Sequence, residues 1–167
     1  MVFGKLSYNS VALSYHSRNQ DFISGKLQNI RQRGVGHMTL NEFERTLIDE
    51  ALTDLLMSLQ EGIPHFTNAT AEDINQNTLA IASVKMKLKR IPAEHDQSFT
   101  LQELKVMYWA LSDLRDTNLE VLDSIPLSDP DHAVAFDVQK SCNRLLHACR
   151  ELLSQNGIDI QALFPHR

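Results

Sequence analysis

Asp113, Asp116, Glu120 and Asp123 recur at intervals of three, four and three, which sets all four carboxylates on one stripe of a helix. Carboxylate oxygens are the usual ligands of Mg²⁺. Such a ladder facing a second acidic helix could serve an all-helical metal-dependent hydrolase. At 100° per residue, however, the stripe falls almost opposite Leu104, Leu111 and Asn118, the core side of the same helix. The spacing therefore predicts a solvated outer face.

Other constellations are wanting. The chain contains no His-Glu-x-x-His, no Cys-x-x-Cys and no Gly-rich phosphate loop. Of the seven histidines, His16, His37, His65, His95 and His166 fall in predicted loops or termini, and only His132 and His147 fall in helices. No nucleophile is paired with a base at readable spacing. We expect no catalytic residue, no metal ligand and no cofactor.

Trp109, the single tryptophan, sits near the middle of the acidic stripe with Val106 beside it. Val106, Trp109, Asp113 and Asp116 follow one another at spacings of three and four, and Glu120 extends the row. A tryptophan on an outer face needs cover, either from residues 1–37 or from another molecule, because large exposed aromatics are enriched in binding hot spots. The N-terminal segment offers Phe22, Leu27 and Ile30, with Lys5, Arg18, Lys26, Arg31 and Arg33 against Asp21 alone. That balance favours internal cover, with partner binding at its edge. Lys85, Lys87, Lys89 and Arg90 form a second basic group. With the basic arm they define a nucleic-acid-binding alternative, which would show steep salt dependence.

The elements that position these residues are helices. Thr39 with Glu42 and Thr100 with Glu103 both read as capping boxes, with Met38–Phe43 and Phe99–Leu104 as hydrophobic staples. Apolar spacings of three and four predict a helix over 39–61 with Phe43, Leu47, Ala51, Leu55 and Leu59 on its core side. A second, over 70–91, starts at Thr70 and carries Ile74, Ile81 and Leu88, broadened by Leu79 and Met86. The third spans 100–124. The fourth spans 130–156, from Asp129-Pro130 to a left-handed stop at Asn156-Gly157, with Val134, Val138, Cys142, Leu145 and Cys149 inward. A short turn follows at 159–163. Residues 17–33 suit one more helix, with a hairpin near Asn9-Ser10 as the alternative.

Short connections favour antiparallel neighbours. The expected fold is an all-α antiparallel up-down-up-down four-helix bundle over 38–157. An N-terminal basic arm or helix, residues 1–37, packs on its outside, and 158–167 form a short C-terminal turn and tail.

The 167 residues, 43% hydrophobic and 22% charged, suit one globular domain and exclude a wholly disordered chain. No apolar run approaches the roughly 18 residues of a membrane span. Without a secretory leader pattern at the N-terminus, a cytoplasmic protein is expected. Cys142 and Cys149, seven apart on one helix, would lie roughly 10 Å apart, too far for a disulfide. The expected function is a non-enzymatic regulatory or adaptor protein that binds another protein, or a second copy of itself, through Val106, Trp109, Asp113, Asp116 and Glu120.

Overall fold

The computed structural model describes residues 36–61 and 70–163, of which 78% are helical. The element order is β1 (Gly36–Thr39), α1 (Glu42–Glu61), α2 (Ala71–Arg90), β2 (Asp96–Phe99), α3 (Leu101–Ser124), α4 (Pro130–Gln155) and the single turn α5 (Ile160–Leu163). The expected N-terminal helix, its hairpin alternative and the stop near Gly62 and Pro64 lie outside the described residues.

Helix starts follow local hydrogen-bond chemistry. Thr70 caps α2 in a reciprocal box with Asp73, and Thr100 caps α3 in one with Glu103. Asp129 caps α4 and is followed by Pro130, while Gly157 closes its far end at φ +77°. Asp159 Oδ1 accepts from Gln161 N at 2.9 Å and starts α5.

The start of α1 corrects the sequence expectation. Asn41, not Thr39, caps it. Asn41 Oδ1 accepts from Glu44 N at 2.9 Å, and Asn41 N donates to Glu44 Oε2 at 3.0 Å. Thr39 is drawn instead into a two-stranded antiparallel ribbon that sequence reading did not anticipate. In it Gly36 faces Phe99, His37 faces Ser98, Met38 faces Gln97 and Thr39 faces Asp96. The Leu40 carbonyl also accepts from Glu94 N at 2.9 Å, so the chain is held extended until Asn41. Met38 and Phe99 are buried as expected, but on paired strands, and Phe43 is left exposed. His37 thus lies on a strand, and β1 runs across the 37/38 boundary. Gly36 permits the ribbon's close approach to α4, since a Cβ there would lie 2.8 Å from Leu152 Cδ1.

α3 is the central helix. It packs against α1, α2 and α4, and α1 also meets α2 and α4. Every residue from Glu103 to Leu114 is buried. Ion pairs and hydrogen bonds tie these helices to one another. Glu103, almost fully buried, receives Lys87 Nζ at 2.6 Å, Ser83 Oγ at 2.6 Å and Thr100 N at 2.7 Å. Arg45 of α1 donates to the Ile91 carbonyl at 2.7 Å and to the Leu88 carbonyl, satisfying the last turn of α2. Arg144 of α4 binds the buried Glu44.

Several apolar positions assigned to the core face outward. Leu79 and Met86 on α2 are exposed, and Val134 on α4 is 49% exposed. The α2 stripe proves narrower than the apolar spacing suggests. The α4 stripe becomes buried only from Ala135 and Val138 onward, because α4 begins beyond the level where its neighbours cover it.

Candidate functional site

The outer face read from α3 divides in two. Val106, Trp109 and Asp113 are 1%, 2% and 6% exposed. The first half of the supposed solvated stripe is therefore interior, and Lys105 and Ser112 are buried with it. Trp109 is thus covered, and the cover expected for it, residues 1–37, lies outside the described residues except for Gly36 and His37. Beyond Leu114 the continuous burial ends, although Asn118 is still buried. Asp116 is half-buried and accepts from Arg115 Nε at 2.9 Å and Nη2 at 2.7 Å, while Glu120 and Asp123 are exposed.

The last two turns of α3, the connection and the first two turns of α4 form one hairpin end. Its turn is fixed by its own backbone: Asp129 N donates to the Pro126 carbonyl at 2.9 Å, and His132 N to the Asp129 carbonyl at 3.0 Å. Leu119, Leu127 and Val134 are exposed there, Leu127 to 86%. The same stretch of chain, 115–137, carries Asp116, Glu120, Asp123, Asp129, Asp131 and Asp137, against Arg115 and His132. Sequence reading singled out Asp116, Glu120 and Asp123 of this group, placed Val134 on the core side and passed over Leu119 and Leu127. The available signal was Leu127 in Pro-Leu-Ser-Asp-Pro, a leucine in a turn that no helical stripe can bury.

The basic group on α2 is also divided. Lys85 Nζ pairs with Asp49 at 2.8 Å and donates to Thr53 Oγ1 at 2.6 Å, and Lys87 is held by Glu103 and lies 5.4 Å from the Phe99 ring centre. Lys89 and Arg90 are exposed. Two of the four are thus part of the fold's own ion pairs.

Titratable groups near the core are shifted by desolvation. Burial lowers the pKa of Lys105, which has no acidic partner among the described residues. Burial also pushes the thiols of Cys142 and Cys149 up to about 12, with Arg115 and Arg144 respectively pulling the other way. Both cysteines are free and buried. His147 is exposed on α4, 3.9 Å from Glu151. Among the described residues no three His, Cys, Asp or Glu side chains gather as metal ligands. No described helix is long and apolar enough to cross a membrane. Comparison with protein-family models, curated proteins and solved structures finds no match to this chain.

Proposed function

We propose that this chain is a non-enzymatic adaptor or regulatory protein that binds a basic partner protein through the end of the α3–α4 hairpin. One observation carries the reading: exposed Leu119, Leu127 and Val134 belong to one hairpin segment, 116–137, that also carries six carboxylates. An exposed leucine on a hydrogen-bonded turn is a ready apolar anchor, and the carboxylates of the same segment select a cationic surface and speed its encounter. A second copy would bring like charge against like at this end, which disfavours self-association through it. Val106, Trp109 and Asp113 then act from inside, by fixing the axis of α3, while Asp116 and Glu120 meet the partner. The four long helices are taken to run up-down-up-down, which presents the hairpin end at one pole of a cytoplasmic bundle.

The alternatives gain nothing from the geometry. A hydrolase using the acidic stripe would have to work without the buried Asp113. Nucleic-acid binding by the α2 group would draw on Lys85 and Lys87, which are already paired. The test is capture of partners by the wild-type chain and by Leu127→Asp with Glu120→Lys. A partner retained equally by both would contradict the assignment.

A further inference from the structure

Tyr108, Ser112 and Arg115 follow at spacings of four and three on α3, and Arg150 and Ser154 at four on α4. Both rows line one cavity of about 540 Å³, and the segment 157–161 completes its lining among the described residues. Gly157, at φ +77°, turns that segment over the end of α4. Its N–H donates to the Ser154 carbonyl at 3.0 Å, and Ile158 N donates to the Leu153 carbonyl at 3.0 Å. The wall is therefore anchored to the helix that supplies Arg150.

The described lining carries two guanidiniums against one carboxylate, Asp159, with Arg115 also paired to Asp116. Arg150 Nη2 donates to Tyr108 Oη at 3.2 Å, and no carboxylate pairs with Arg150 among the described residues. Arg115 gives two donors to Asp116, and its fork carries others. Asp159 is the carboxylate in the described lining, and its Oδ1 is engaged by Gln161 N. Two guanidiniums from facing helices suit a dianion whose oxygens point in several directions, whereas a planar carboxylate would fill only one fork. The hydroxyls of Ser112 and Ser154 add neutral donors. The volume falls within the range of about 300–1,000 Å³ typical of small-molecule sites, well beyond the need of a lone ion.

We propose that this cavity binds a small organic phosphate, its phosphoryl oxygens held by Arg115 and Arg150 and its polar remainder by Ser112, Ser154 and Asp159. The site stands apart from the hairpin end and does not depend on the adaptor reading. Calorimetric titration of the full chain with glycerol 3-phosphate and with inorganic phosphate, at fixed ionic strength in chloride, tests it. Saturable binding is expected for both, with glycerol 3-phosphate the tighter. Arg150→Gln should weaken both by about tenfold or more, the loss expected for a charged hydrogen bond. Because Arg150 is exposed, its melting curve should stay as in the wild type. Arg115→Gln should act in the same direction. Absence of saturable binding by either phosphate, or affinity unchanged in a folded Arg150→Gln, would overturn the proposal.

Discussion

Asn118, buried on α3, donates from Nδ2 to the backbone carbonyl of Ala135 on α4 at 2.7 Å. The bond marks a boundary. On one side lies the continuously buried stretch Glu103–Leu114, and on the other the helix reaches the surface at Leu119 and Glu120. The bond ties the two arms of the hairpin together near its end, with Gln139 Oε1 as a second acceptor at 3.2 Å.

Asn118→Ala should accordingly destabilise the fold by about 2 kcal/mol, through a lost buried hydrogen bond and the space left behind. Chemical denaturation of the variant checks this. An unchanged midpoint would show that the hairpin is held without this bond.

Glu103→Gln should cost about 2 kcal/mol. It leaves the Lys87 ammonium without its carboxylate and weakens the α3 cap. The full cost of breaking a buried pair is reduced here because Lys87 keeps the Ser98 carbonyl at 2.8 Å and is partly solvated. A thermal melt beside that of Ser83→Ala separates the ion pair from the hydroxyl contact.

Lys105 supplies a pH prediction. Its folded pKa lies below the unfolded value of 10.5, so the unfolded chain binds the proton more tightly. The resulting penalty is full below the depressed folded value and is relieved as pH rises from there to 10.5. Lys105→Met should therefore raise the melting temperature at pH 7, and its advantage over the wild type should shrink by pH 10. An advantage that is the same at both values would contradict the desolvation account.

The two thiols should be silent in the native state. Cys142 and Cys149 are buried, with pKa values pushed up to about 12, so almost no thiolate is present at pH 8. A colorimetric disulfide reagent should label neither in native buffer and both in denaturant. Rapid labelling of the native chain would show that α4 opens from the core.

How far the fold was legible depends on where each signal comes from. Thr70, Thr100, Asp129 and Gly157 mark helix ends through contacts within three residues, so they read correctly. Thr39 misled because its competing partner, Asp96, is distant in sequence, and strands of four residues leave too little alternation to detect. Trp109 reads as outward by periodicity, which marks the uncovered side of a helix packed on one face, and its burial shows that this face too is covered. Asp116 and Glu120 were legible as surface charge. Leu127 was not, since single exposed leucines are common and only its place at the tip gives it meaning.

Leu127→Asp should change folding stability by less than about 0.5 kcal/mol, as expected for an exposed position, while costing about 2 kcal/mol or more of partner affinity. Glu120→Lys should mainly slow association and flatten its salt dependence.

The most direct measurement is site-specific photo-crosslinking in intact cells from a reactive residue in place of Leu127, with Leu79 on α2, also exposed, as the control position. The account predicts a covalent adduct formed from position 127 and not from position 79, mapping to a segment of another protein rich in lysine or arginine. Adducts equal in yield from both positions, or confined to second copies of this chain, would contradict it.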